Sequence, residues 1–598
     1  MGGRTNAVCE DTPLIGPHCS NLDENVNPEV RVRVNGARTK ITPASIASDP
    51  TFDDIHVGTG ADTGARPSCV FHLCEGSTSS DRLLFDFGRF LEGGALDDVF
   101  GISRGSKSTR TSDHDHVPDD GKWEVTKLSG GLINVTVRAV RRRGDHKSWR
   151  SAIIKYAPPF VAAVGEDAPC GTFRQVIEYR ALSLFGSTPS IATAEAAHKV
   201  SIPRVLKFFE NKKVLVIRDL GEWMTPLESW MYPSTTTESP PSLETCTSVG
   251  KRLGSFLATV HCDVALLSKS QLLTNDGKLW FQNSDAEDYV RDEILGRILP
   301  ILQLHFGPGT DVGERIADTI SRDFDRSFLD DLHPPPPPLS STGVTRSMFS
   351  AGDLWMGSFL IGAPPVSGTC PSLDAETEVE IGFIDWEFAG PARIGRDIAQ
   401  LSAWLYLFST SSGWSSIWSN CHPTVMDNIA IRSTSNAGPD NLLSDVGAVT
   451  SHGICYEGKK NPRTGQTLGW PPTAGALLDA LLRSYARNVK EYPGHAWFVD
   501  EEYDQRKYQK ERLAVIRSIW VLFGMEVIHN SVEAKGRFVG FFAADVDGGE
   551  QIGMWQREMI EVGCWYVSMA GEKPDEEFEE IVRKEGVLKR MYTVSGSL

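Results

Sequence analysis

The chain has 598 residues, 40% hydrophobic and 23% charged, the balance of an ordinary soluble globular protein. Its net charge of -18 argues against a nucleic-acid or anionic-membrane partner, because both need a basic face. The 11 cysteines show no zinc-ligand or C-x-x-C spacing, no signal segment opens the chain, and no apolar run reaches the roughly 18 residues of a membrane span, so a cytoplasmic protein with free thiols is expected.

Residues 1–78 are rich in Gly, Thr, Asp, Asn and Pro and lack periodicity; a loose or disordered extension is expected. Residues 80–93 place Leu83, Leu84, Phe87, Phe90 and Leu91 at helical spacing, which predicts an amphipathic helix. The polar loop that follows contains Asp113-His114-Asp115-His116, read as flexible sequence and not as a metal site. Two strands, over 123–128 and 135–140, are joined through Ser129-Gly130-Gly131-Leu132-Ile133-Asn134. Paired glycines let a backbone approach a phosphate, although such a pair is more often a plain hairpin turn. Arg141, Arg142, Arg143 and Lys147 read as a hairpin tip facing solvent. Lys155 lies inside an apolar strand that stops at Pro158-Pro159, and a lysine there must snorkel out or find an anion. A helix over 174–182 carries Glu178, and 214–221 reads as a buried strand ending in a polar turn at Asp219-Leu220-Gly221. Residues 230–247 look loop-like; 249–261 form a helix ending in His261, a core histidine or a cap. Residues 285–332 are mostly helical with a break at Gly307-Pro308-Gly309, and Pro334 to Pro338 make a polyproline spacer.

Two later stretches carry the chemistry. Ser350-Ala351-Gly352-Asp353-Leu354-Trp355-Met356-Gly357-Ser358 precedes one short apolar strand, and Asp385-Trp386-Glu387 follows another over 381–384. Pairing the two strands as a hairpin would bring Asp353, Ser358 and Asp385 to one end of it. Phosphoryl transfer needs such a grouping, with one carboxylate to orient the attacking hydroxyl and another to hold magnesium on the phosphates. Further on, Asp397 opens a helix with Ile398, Leu401, Trp404, Leu405 and Phe408 on one face; 409–470 reads as a polar insertion, and the chain from Ala474 as helical, with a long helix over 508–532.

The Gly352-Asp353 pair with Ser358, and Ile384-Asp385-Trp386-Glu387, resemble the G-D-x-x-x-x-N/S and I-D-W/P-E motifs of the aminoglycoside phosphotransferase-like kinases. That group includes choline kinases and methylthioribose kinase, and the wording here is closest to its fungal phosphotransferase-type members. The resemblance implies an α+β, bilobal protein-kinase-like fold, with a small β-rich N-lobe over 79–220 and a larger, mostly helical C-lobe with insertions over 221–598. It implies ATP and Mg2+ as cofactors, and transfer of the γ-phosphate to a hydroxyl of a small-molecule acceptor: an aminoglycoside, a sugar or thiosugar, or a choline-like compound. Carried over by position, Asp353 is the catalytic carboxylate, and Asp385, Ser358 and Glu387 form the metal side. Gly130, Gly131 and Asn134 match the G-G-x-x-N phosphate loop. Lys155 and Glu178 fix the nucleotide, and the stretch that includes Asp219 is the hinge against adenine. Asp397 matches an aspartate that bonds the backbone of the catalytic loop. Ala351 departs from the pattern, which has a bracing histidine there. That departure leaves a second reading open, a catalytically inactive kinase-like binding protein. A protein kinase is disfavoured, since no H-R-D, D-F-G or A-P-E set occurs.

Overall fold

The computed structural model describes residues 70–72, 83–102, 123–128, 132–142, 149–233, 240–270, 272, 274, 280–284, 288, 290–332, 347–363, 379–418, 473–490, 492, 505–538 and 548–591, all within one unit, Arg66–Leu598. Strands β1 (Val70–His72) and β2 (Leu83–Asp86) pair antiparallel and lead into helices α1 (Phe87–Glu92) and α2 (Ala95–Val99). The single helix expected over 80–93 is thus a strand followed by a helix. The change falls at Asp86, whose carboxylate accepts the Arg89 N–H at 2.8 Å and caps the first turn. A run as short as Leu83-Leu84-Phe85 fits either period, so spacing alone could not separate them.

Strands β3 (Trp123–Lys127), β4 (Val135–Arg142) and β5 (Trp149–Tyr156) follow, then the short β6 (Phe160–Val161) and β7 (Gly165–Pro169). Helices α3 (Arg174–Gly186) and α4 (Pro189–His198) precede β8 (Val200–Ser201), β9 (Val205–Phe209) and β10 (Val214–Arg218). One five-stranded sheet runs β3-β4-β5-β10-β9. Along β4, Val135, Val137 and Ala139 are buried in a small core with Phe87, Phe90 and Leu96, while Thr136, Arg138 and Val140 alternate onto the other face. Lys155 lies opposite Thr136 on one side and Leu215 on the other, so the register places it on that second face. Arg141, expected at a solvated tip, is buried: its guanidinium meets Asp97 at 2.7 Å and lies over Trp123. The strand runs two residues past the expected end at Val140 and carries Arg141 into the sheet.

The helical part begins with β11 (Thr225–Pro226) and α5 (Leu227–Met231), then α6 (Leu243–Cys262), α7 (Val264–Ser270), α8 (Gly296–Phe306) and α9 (Asp311–Leu332). Helix α6 starts six residues before the expected Val249, because Ser242 accepts the Thr245 N–H at 3.1 Å and caps it. Next come β12 (Ser347–Ser350), β13 (Phe359–Gly362), β14 (Glu380–Phe383), β15 (Gly390–Arg393) and α10 (Arg396–Trp418). The chain ends in α11 (Thr473–Val489), α12 (Gln505–Glu533), α13 (Lys535–Phe538), α14 (Gly548–Glu572) and α15 (Asp575–Lys584). Helix α10 runs on through Trp418, into the stretch expected as an insertion; residues 419–472 lie outside the described residues, as do the Asp113–His116 segment and the proline run.

Two ladders place the functional loops. Strand β12 pairs with β15, Ser350 opposite Gly390, and β13 pairs with β14, Phe359 opposite Phe383. The loop over 351–358 joins the first strands of these pairs, and the loop over 384–389 joins their second strands, so both loops are clamped side by side at each end. They approach so closely that a Cβ on Gly352, at φ +83°, would lie 2.0 Å from the Phe388 carbonyl oxygen. Residues Leu513–Glu533 of α12 are apolar and long enough by composition to cross a membrane, but 78% of that window is buried inside the protein, where Ile519, Trp520 and Phe523 form core.

Helices α6 and α11 also make backbone contact. A Cβ on Gly254 would sit 2.3 Å from the Leu481 carbonyl oxygen and 2.9 Å from the Tyr485 nitrogen. Gly254→Ala is therefore expected to lower stability by ~1–3 kcal/mol, read as a lower urea midpoint at unchanged slope; an unchanged midpoint would mean that the two helices are not packed this closely.

Candidate active site

Lys155 is 5% exposed, and its ammonium donates to Glu178 Oε1 at 2.7 Å and to Asp385 Oδ1 at 3.0 Å. Strand β5 supplies the lysine, α3 the glutamate and the loop after β14 the aspartate, so three distant segments meet at one nitrogen. Burial alone would lower the Lys155 pKa, but the charges of Glu178, Asp385 and Glu387 hold it above the ordinary lysine range. Asp385 has φ 63°, a left-handed conformation that persists only where neighbours enforce it. They do: Trp386 is fully buried against Phe383 and Phe185, with ring centres 4.1 and 4.4 Å away, and the Ile384 N–H donates to the Ser358 carbonyl at 2.9 Å.

Glu387 is buried and accepts a hydrogen bond from Nδ2 of Asn134, which immediately precedes β4. Burial pushes the Glu387 carboxyl up, Lys155 pulls it back, and the charges of Glu178 and Asp385 add to the rise. Asn134 in turn accepts from Arg174 Nε at 3.0 Å. Of the expected phosphate loop, Gly130 and Gly131 lie outside the described residues. Asp219 takes Arg138 on both oxygens, Nε at 2.8 Å and Nη2 at 3.2 Å, and the Gly221 N–H at 3.0 Å, which shapes the turn after β10.

Asp353 accepts Gln400 Nε2 at 2.7 Å, while Gln400 Oε1 accepts the Leu354 N–H at 2.9 Å. One amide on α10 thus fixes both the carboxylate and the backbone beside it. Burial raises the Asp353 pKa, the Gln400 bond opposes this, and the nearby charge of Asp385 adds to it. Ser358 is fully buried; its hydroxyl donates to the Asp353 carbonyl at 3.2 Å and accepts the Trp355 N–H at 3.4 Å. Asp397 is fully buried beneath the loop, receiving the Ser350 hydroxyl at 2.5 Å, the Ala351 N–H at 2.7 Å and the Gly352 N–H at 3.3 Å. His261 completes this group: one ring nitrogen lies 3.1 Å from Asp397 Oδ2 and the other 2.9 Å from the Tyr485 hydroxyl. Ala351 leaves a histidine out of the loop, and α6 supplies one from beneath.

Burial would raise the Asp397 pKa, but the bonds from His261, Ser350 and Ala351 outweigh it and hold the carboxyl below the usual range. A depressed folded-state pKa stabilises the fold fully above the unfolded value, roughly 3.9, and the contribution is lost as pH falls through the lower folded value. Asp397→Asn is expected to unfold at lower urea than the parent at pH 7, with the gap closing as pH falls below about 4; a gap independent of pH would mean that the charge of Asp397 is not what these donors hold.

Three of these residues were given no such role by sequence reasoning. Gln400 was legible only as the same-face neighbour of Asp397, three positions on. Arg174 begins the helix that carries Glu178. His261 showed itself only as a histidine at the end of an apolar helix face.

The structure thus brings Lys155, Glu178 and Asp385 together and places Asp397 under the loop that bears Asp353. By its motifs the chain resembles the aminoglycoside phosphotransferase-like kinases. A 137-residue stretch, 23% of the chain, is 31% identical to the 4-hydroxytryptamine kinase of Psilocybe cyanescens. The match spans about a third, 36%, of that enzyme. Among solved structures, amicoumacin kinase hAmiN in complex with AMP-PNP, Ca2+ and Ami aligns over 73% of this chain and 87% of its own, at 12% identity and a TM-score of 0.30. No family model matches the chain. The fold is α+β, with a five-stranded sheet before a mostly helical remainder.

Proposed function

We propose that the chain is an ATP-dependent, magnesium-requiring phosphotransferase that moves the γ-phosphoryl group of ATP to a hydroxyl of a small molecule. The observation that carries this reading is Lys155, buried and held between Glu178 and Asp385 beside the loop that bears Asp353. A lysine fixed in this way presents its charge to the phosphates of a nucleotide. Asp353, aimed by Gln400, accepts the proton of the acceptor hydroxyl as its oxygen bonds to the γ-phosphorus and the bond to ADP breaks.

Magnesium typically takes one or two carboxylates with substrate phosphates and keeps several waters, so it does not need a closed protein cage. Among the described residues no group of three or more His, Cys, Asp or Glu side chains forms such a cage. Burial first, and then the charges of Glu178 and Asp385, raise the Glu387 pKa against the pull of Lys155; three carboxylates grouped around one ammonium fit a divalent cation. Asp385 and Glu387 would hold the ion, and Ser358 would join them after its hydroxyl turns from the Asp353 carbonyl. Bound there, magnesium neutralises charge on the phosphates. The reading of an inactive binding protein rested on Ala351, and the His261–Asp397 bond weakens it by bracing the loop another way.

The acceptor is a small hydroxylated molecule. Aminoglycosides, sugars, thiosugars and choline-like compounds are the classes to screen, with 4-hydroxytryptamine added because the similar enzyme is named for it. The first test is the thermal shift with ATP, with and without magnesium, for the parent and Asp385→Ala. Ligand at about 100 times its Kd stabilises by roughly 2.7 kcal/mol in the simple case. The parent is expected to shift with magnesium and the variant to lose the magnesium-dependent part. No shift in the parent with nucleotide and metal together would overturn the reading.

A further inference from the structure

Arg174 is 1% exposed, and among the described residues its guanidinium forms no ion pair. Its donors go instead to the carbonyls of Cys170 (2.9 Å), Gly171 (2.6 Å), Ile133 (3.2 Å), Pro158 (2.8 Å) and Phe160 (3.4 Å), and to Asn134 Oδ1 (3.0 Å). Of these carbonyls, Ile133 lies just before β4, Pro158 in the turn after β5, Phe160 in β6, and Cys170 and Gly171 between β7 and α3. One side chain therefore ties together the backbone that the phosphate loop feeds into. A buried cation also needs an anion, and carbonyl dipoles meet that need only in part.

The anion is reached through Asn134. Its amide oxygen accepts from Arg174 while its amide nitrogen donates to Glu387, 253 residues away in sequence. A carboxamide offers an acceptor and a donor on opposite arms of one rigid plane, which is what a bridge between a guanidinium and a carboxylate requires. Glu387 is thereby oriented from the sheet side and not from its own loop.

We propose that Arg174 and Asn134 are positioning residues for the transfer reaction: through the Asn134 amide they fix the Glu387 carboxylate, so that the phosphate-binding segment and the metal loop are set as one unit. The proposal rests on the kinase reading above and goes beyond it by assigning how magnesium affinity is controlled. Residues that orient a metal ligand typically change metal affinity by 10- to 100-fold when removed.

The test is ATP binding by calorimetry across a magnesium series for the parent, Asn134→Ala, Glu387→Gln and the double variant, with a melting curve for each. Asn134→Ala is expected to need about tenfold more magnesium for half-maximal binding. The double variant is expected to match Glu387→Gln alone, because the two residues act through one contact. Arg174→Lys, which keeps the charge and loses the fork, is expected to shift the magnesium requirement in the same direction. A purely structural role would instead lower melting in every background and add to the effect of Glu387→Gln. Unchanged magnesium dependence in Asn134→Ala, or additive effects in the double variant, overturns the proposal while a normally binding parent leaves the kinase reading standing. A parent without magnesium-dependent ATP binding overturns both.

Discussion

Asp353→Asn is expected to bind magnesium and ATP as the parent does and to turn over roughly 100- to 10,000-fold more slowly, the range that a positioned general base supplies. The substitution is nearly isosteric, and its amide oxygen can still accept the Gln400 Nε2–H that now lies 2.7 Å from Asp353. The loop should therefore keep its shape while the proton acceptor is lost. The expected stability change has the opposite sign. Burial and the nearby charge of Asp385 raise the Asp353 pKa, against the Gln400 bond, so the ionised carboxylate is disfavoured by the fold. A neutral amide removes that burden, and the melting temperature should hold or rise. A carboxylate kept for structure would give the reverse pattern, lower stability with activity falling in proportion. Steady-state kinetics beside a melting curve separates the two: a fall in kcat at unchanged KM for ATP marks an interaction made in the transition state. Turnover equal to the parent would remove Asp353 from the catalytic role.

The parts that were legible in the sequence are those whose partners lie in the same short stretch or in a motif of fixed order. The β13–β14 hairpin could be read from two apolar runs, each beside its own aspartate, and the structure pairs them in register. Lys155 could be read because an apolar strand makes a lone lysine conspicuous. Asp397 could be assigned to the loop backbone, and it does receive the Ala351 and Gly352 N–H groups. What could not be read is anything carried by a contact between distant elements. Ala351 in isolation is a lost brace; the His261–Asp397 contact beneath the loop depends on how α6 packs, through Gly250 and Gly254 against α11. Arg141 looked solvated because three arginines in a row usually are, and Asp97, which buries it, sits on a helix that no local pattern ties to β4. The Arg174–Asn134–Glu387 chain joins three segments whose spacing says nothing about their meeting.

Lys155→Met is expected to lower stability by about 3–5 kcal/mol, the effect of leaving a buried carboxylate without its partner, and to abolish nucleotide binding. The two contacts of Lys155 do not contribute equally. Glu178 has a side chain 2% exposed and cannot regain water when the ammonium is removed, whereas the Asp385 side chain is 34% exposed and can be solvated in part. Most of the loss should therefore come from Glu178. Glu178→Gln in the Lys155→Met background tests this, because removing the second charge of a buried pair relieves much of the damage of removing the first. The double variant should recover stability in urea denaturation without regaining any nucleotide-induced thermal shift. Recovery of folding without recovery of binding would separate the structural share of this ion pair from its functional share. A Lys155→Met protein as stable as the parent would mean instead that the ammonium is not enclosed among these carboxylates, and the electrostatic basis for placing phosphates there would fall with it.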